Sequence, residues 1–227
     1  MLNISSFVSF SKSLLMGALL IAAAPQGFAE TQEKKIFVPQ RAIAYEVVQG
    51  EEMQKYLGEM IRFRLELFRE SPYFYEGTED GEREYLNQYL RSDEGVFIVA
   101  KAGTEVLGLI SGIPMRELEE SSRLFLKNNI SIDSIFYLGE VVVDPRYQGS
   151  PIEIALYREL EDHVRSLSGY NQIAECIPVL TEENSTGYLF EELGAVKHPA
   201  LIDCFFWKEI GKEGTVPHFM QYWIKPL

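Results

Sequence analysis

The feature that most constrains the fold of this chain is one junction. The run Ile135-Phe136-Tyr137-Leu138-Gly139-Glu140-Val141-Val142-Val143 stops at Asp144-Pro145, passes through Arg146-Tyr147-Gln148-Gly149, and opens at Ser150-Pro151-Ile152-Glu153 into an amphipathic stretch. A nearly unbroken β-branched and aromatic run predicts the strongest strand in the chain. Proline ends it, having no N–H for the ladder. Ser150 then has the chemistry of an N-cap, Pro151 suits the first helical position, and Glu153 predicts a capping box. Ile152, Leu156, Leu160, Val164 and Leu167 follow at helical spacing. Strand, tight turn and helix in this order place the chain in the α/β class. Such a turn aims backbone N–H groups into the space before the positive end of the helix, which suits an anion, and Gly149 permits close approach.

The remaining pattern extends this frame. Residues 42–48 read as a first strand. Met53, Tyr56, Leu57, Met60, Ile61, Leu65 and Phe68 recur at helical spacing within 51–69, as do Tyr85, Leu86, Tyr89 and Leu90 within 81–91. The β-rich runs 95–102 and 106–113 predict a hairpin across Gly103-Thr104, and 114–134 an insertion whose amphipathic piece carries Leu118, Leu124 and Phe125. A strand over 170–177, a short helix over 184–193 ended by Gly194, and a closing hairpin of 201–210 with 219–224 complete the chain.

Residues 1–29 have the layout of a signal peptide: Lys12, an apolar stretch from Leu14 to Ala24, then Gly27 and Ala29 at the −3 and −1 positions of a cut before Glu30. The stretch is shorter than the about 20 apolar residues that cross a bilayer. The expectation is an exported protein, periplasmic or secreted. The alternative is an uncleaved helix, with the protein cytoplasmic or membrane-anchored and touching membrane only through 1–29. Residues 30–41, polar and containing Pro39, read as a linker, and 42–227 as the folded domain.

With 34 acidic and 21 basic residues the net charge is −13, which disfavours nucleic acid and welcomes a cationic ligand. Cys176 and Cys204 lack metal-site spacing, and His163, His198 and His218 are scattered, so no metal is expected. Both cysteines lie in apolar strand-like runs, where free thiols are expected.

The order of elements, the turn Arg146-Tyr147-Gln148-Gly149-Ser150-Pro151 behind Val143-Asp144-Pro145, and the segment Phe190-Glu191-Glu192-Leu193-Gly194-Ala195 resemble the GNAT superfamily of acyl-CoA-dependent N-acyltransferases from about Ala42 to the C-terminus. The turn is similar to the family's Gln/Arg-x-x-Gly-x-Gly/Ala, and the second segment to its Tyr-x-x-Leu-Gly-Phe. The resemblance implies a mixed, mostly antiparallel central sheet flanked by helices, with acetyl-CoA lying in an opening between the central strand and the next. It implies transfer of an acetyl or other acyl group to a primary amine of a small molecule or peptide. Backbone groups of Val141 and Val143 would hold the pantetheine and the amides of Gln148, Gly149 and Ser150 the pyrophosphate, with Arg146 and Asn184 also on the cofactor side.

The resemblance also implies a base for the amine and an acid for the departing thiolate. Glu140 is the candidate base, an ion pair within the core being its other reading, and Glu175 is second in line. The family's acid is a tyrosine at the position of Phe190; Tyr188 is a nearby hydroxyl, although two residues turn a helical side chain by about 200°. Pro151 removes an amide donor that Gly or Ala supplies in the family. These departures keep open a second class, an exported, non-catalytic GNAT-fold protein that binds a ligand or partner.

Overall fold

A computed structural model describes residues 42–179 and 190–227. The expected signal segment, the linker, and the candidates Asn184 and Tyr188 lie outside the described residues.

Seven strands form one sheet: β1 Ala44–Gln49, β2 Val96–Ala102, β3 Glu105–Pro114, β4 Ile135–Val143, β5 Gln172–Pro178, β6 Val196–Lys208 and β7 Thr215–Pro226. Their order is β1-β2-β3-β4-β5-β7-β6, and every pair is antiparallel except β4 with β5. The central position of β4 agrees with the apolar run read from the sequence. Helices α1 Gln54–Leu67 and α2 Glu79–Arg91 follow β1, α3 Glu119–Lys127 follows β3, and α4 Ile152–Ser166 crosses from β4 to β5. The parallel pair needs that crossover, because a tight turn can join only antiparallel neighbours.

Each face of the sheet has its own core. Leu156, Tyr157, Leu160 and Val164 of α4 pack with Ile98, Ile110, Leu138, Ile173 and Ile177. Tyr56, Met60 and Phe63 of α1, with Leu86 and Tyr89 of α2, pack with Phe97, Val99, Leu109 and Val142. Around α3, Phe125 meets Ile135, Ala174 and Tyr222, the two rings edge to face at 5.1 Å.

The β4 ladder contains a surplus residue. Ile110 pairs with Val141 and Gly112 with Leu138, so Ser111 alone stands opposite Gly139 and Glu140. This is a β-bulge. Leu138 lies on the α4 face; Gly139 and Glu140 both face α1 and α2; Val141 returns to the α4 face and Val142 to the other. Gly139 is obligatory there, since a Cβ would stand 1.8 Å from the Tyr89 hydroxyl oxygen. The Ser111 hydroxyl accepts the Glu140 N–H at 2.9 Å, which keeps the extra residue bonded.

The helix start differs from the expected capping box. The Ser150 N–H donates to the Tyr147 carbonyl at 3.1 Å, and the Ser150 hydroxyl accepts the Ile152 N–H at 3.4 Å. Pro151 is already helical in conformation, and no side chain caps it. The Glu153 carboxyl is instead partly buried, and that burial raises its pKa. With Ser150 tied back to the preceding turn, its N–H is unavailable to a glutamate one turn ahead.

Candidate active site

Pairing of β4 with β5 runs from Ile135/Gln172 to Leu138/Glu175 and ends there, although β4 continues to Val143 and β5 to Pro178 along β7. The two strands fork at the bulge. Asp144 N–H donates to Leu107 O at 2.8 Å, so Asp144/Leu107 and, two residues back, Val142/Leu109 are the hydrogen-bonded pairs of the antiparallel ladder. The N–H and C=O of Val141 and Val143 therefore point the other way, to the edge that β5 has left. Their candidate role as backbone partners of an extended ligand has its geometry.

At the end of this edge, Pro145–Tyr147 form a short 3-10 turn. Asp144, nearly fully buried, accepts the Arg146 N–H at 2.9 Å and holds the Arg146 guanidinium at 2.8 and 3.0 Å. Burial pushes the Asp144 carboxyl up, and the Arg146 contacts more than offset it, leaving its pKa below the usual value. Arg146 also reaches Glu105 at 2.8 Å. Its N–H groups thus brace the turn.

Gly149, at φ +74°, adopts the left-handed conformation and presents bare backbone: a Cβ there meets no atom within 4 Å. Ala155 N–H makes a helical bond to Pro151 O at 3.0 Å, so the amides of Glu153 and Ile154 belong to the first turn, where a helix has no acceptors of its own. The candidate cradle for an anion is therefore Gly149 and the α4 first turn, beside Gln148, because the Ser150 amide is taken by the Tyr147 carbonyl. The open strand edge and this cradle fit the pantetheine and pyrophosphate of acyl-CoA.

The two candidate bases occupy opposite faces at the fork. Glu140, on the α1/α2 side, pairs with Arg64, which also pairs with Glu82; it accepts the Tyr85 hydroxyl proton at 2.7 Å. Burial raises the Glu140 pKa above the ordinary carboxylate value, against the pull of Arg64 and Tyr85. Both sequence readings of Glu140 thus meet in one residue, ion-paired and at the fork. Glu175 lies on the α4 side with the Tyr157 hydroxyl at 3.3 and 3.4 Å from its oxygens. No ion pair reaches it among the described residues, and burial pushes its carboxyl well up despite the tyrosine. Phe190 is buried edge to face against Tyr157, ring centroids 4.9 Å apart.

Over the α1/α2 side, the connection between α1 and α2 is strapped to β6. Trp207 Nε1–H donates to Tyr73 O at 2.9 Å, Glu76 N–H to Lys208 O at 2.8 Å, and Ile210 N–H to Phe74 O at 2.8 Å.

Sequence reasoning missed Arg64, Tyr85 and Tyr157. A signal existed for the first: Arg64 falls on the apolar stripe of α1, four residues after Met60 and three after Ile61, and Glu82 falls on the α2 stripe four before Leu86. A charge on each of two inward stripes announces a buried pair. Cys176 and Cys204 are free thiols. No cluster of His, Cys, Asp or Glu suited to a metal ion occurs among the described residues.

No curated protein sequence matches the chain. Among solved structures, the ribosomal-protein-alanine N-acetyltransferase from Brucella melitensis superposes with a TM-score of 0.56 at 15% identity, covering 80% of this chain and 99% of its own. Arabidopsis thaliana NAA60 in complex with acetyl-CoA gives 0.56 at 11% identity, covering 82% and 99%. A spermidine N-acetyltransferase variant from Vibrio cholerae gives 0.52 at 14%, covering 81% and 93%. These likenesses are of fold. The model of the acetyltransferase (GNAT) family matches residues 63–194, which take in the last residues of α1, the fork, the turn and the Phe190 segment as far as Gly194. The chain belongs to the GNAT acetyltransferase family.

Proposed function

We propose that this protein transfers an acetyl or other acyl group from acyl-CoA to a primary amine. The observation that carries the reading is the fork: an open β4 edge at Val141 and Val143 leads to bare backbone at Gly149 and the first turn of α4. Acyl-CoA supplies a thioester carbonyl open to amine attack. The chain's own contribution is positioning and polarisation, with N–H donors of the β4 edge directed at the carbonyl oxygen. On the α1/α2 face, Glu140 takes the proton that the amine must lose, its raised pKa improving it as a base.

The acceptor enters on the side roofed by the strap between residues 73–76 and β6. A cationic amine of a small molecule or peptide suits the chain's charge, and the fold neighbours named for spermidine and for ribosomal protein alanine act on amines of these kinds. The site is exported by residues 1–29 under the same reading. Release of free thiol from acetyl-CoA in the presence of an amine panel tests the function; no release with any amine, at concentrations where acetyl-CoA binds, would refute it.

A second reading has specific support in Pro151, which lacks an N–H at the cradle, and Phe190, which lacks a hydroxyl: an exported GNAT-fold protein that binds its ligand without turnover. Acetyl-CoA binding with no thiol release would favour it.

A further inference from the structure

The family's usual proton donor to the thiolate is absent at Phe190, yet the pocket that Phe190 lines contains another hydroxyl. Tyr157 lies in the second turn of α4, about 7–8 Å along the axis from Ile152 at the helix start. Its ring packs edge to face on Phe190, and its hydroxyl reaches both oxygens of Glu175. Leu138, the last β4 residue paired with β5, and Ile173 line the same narrow cavity as Tyr157, Glu175 and Phe190. Glu140 lies across the sheet with Arg64, so it is turned away from this pocket.

Resting on the acyltransferase reading, we propose that Tyr157, recharged by Glu175, protonates the departing CoA thiolate and so replaces the hydroxyl missing from Phe190. As the amine nitrogen bonds to the carbonyl carbon, the carbon–sulfur bond breaks and its electron pair goes to sulfur. The Tyr157 hydroxyl proton moves to that sulfur, giving the free thiol. The proton of the Glu175 carboxyl moves to the tyrosine oxygen, and the resulting carboxylate regains a proton from water after product leaves. The proton lost by the amine departs on the opposite face through Glu140, so the overall count closes.

Burial raises the Glu175 carboxyl well above the ordinary carboxylate range, which favours its proton-bearing form beside the Tyr157 hydroxyl. Tyr157 is the catalytic residue of this pair and Glu175 acts through it.

Two assays on the full chain test the pair. In turnover, Tyr157→Phe keeps the ring contact with Phe190 and should lower kcat about 10- to 100-fold with KM for acetyl-CoA within about twofold. Adding Phe190→Tyr to that variant should restore most of the loss, which a merely structural role for Tyr157 would not allow. Glu175→Gln should remove the alkaline fall in kcat that accompanies loss of the Glu175 proton. In calorimetry, the wild type should bind CoA more tightly than desulfo-CoA, and Tyr157→Phe should abolish the difference. Full turnover in Tyr157→Phe, or failure of Phe190→Tyr to rescue it, overturns the proton-donor role alone. Absence of any CoA binding by the wild type overturns the acyltransferase reading and this role with it.

Discussion

Replacing Arg64 by methionine isolates what holds Glu140 at the fork. Methionine keeps an unbranched apolar stem of similar reach and removes only the cation. In the native chain that cation lies between two carboxylates whose side chains are 1% and 9% exposed, Glu82 and Glu140. Removing one partner of a buried ion pair leaves uncompensated charge and costs about 3–5 kcal/mol. For a domain of this size, each kcal/mol moves Tm by about 2–4 °C, so Arg64→Met should melt about 6–20 °C lower at neutral pH.

The pH dependence is diagnostic. Burial already raises the Glu140 pKa, and loss of Arg64 raises it further. A carboxyl whose folded pKa exceeds its unfolded value holds a proton in the folded state that the unfolded chain has released, so stability falls as pH rises between the two values. The deficit of Arg64→Met should therefore be small near pH 5 and largest near pH 8. Thermal and denaturant melts of both proteins across that range measure it. A deficit below about 1 kcal/mol, or one independent of pH, would refute the buried-pair account.

Three further outcomes are expected. Gly149→Asp places a carboxylate in the cradle at a left-handed position that aspartate tolerates better than most residues, so the fold should persist while acetyl-CoA affinity drops at least about 30-fold by calorimetry; equal affinity would move the pyrophosphate elsewhere. Glu140→Gln should lower turnover roughly 10²–10⁴-fold with acetyl-CoA affinity unchanged, whereas a native rate and pH profile would leave Glu140 a structural partner of Arg64 alone. Mass spectrometry of the native protein should find the terminus near Glu30 in an extracytoplasmic fraction, and a cytoplasmic protein beginning at residue 1 or 2 would contradict export.

What the sequence disclosed was whatever local pattern encodes. The bounds of β4 were readable because Ile135 follows a polar insertion and Pro145 ends the run; α2 ended at Arg91 as its periodicity required. The closing hairpin proved longer than its apolar pattern, because Val196 pairs with Ile224 despite its exposure. The bulge was illegible, since Gly139-Glu140 breaks neither composition nor length, and only pairing with β3 reveals the surplus. Glu140 and Glu175 look alike in sequence, one carboxylate on each of two neighbouring strands. Their assignment to opposite faces depends on a count across the bulge. Arg64 reaches Glu140 from a distant helix, and no spacing rule connects them. Tyr157 sits beside the leucine stripe of α4 and reads as one more core aromatic until Phe190 and Glu175 close around it.

The surplus residue at Gly139-Glu140 has a wider consequence. A strand of uniform alternation would direct position 140 to the α4 face, among apolar side chains and far from Arg64. One inserted residue shifts the phase of β4 halfway along its length. The half before the insertion is bonded on both edges and serves as wall; the half after it is bonded on one edge and leaves the other open. The same insertion turns a carboxylate out of one compartment and into the other. Under the proposed function, the division of the site into a thioester side and an amine side is therefore a matter of counting along one strand, and the glycine that makes room for the Tyr89 hydroxyl fixes where that count changes.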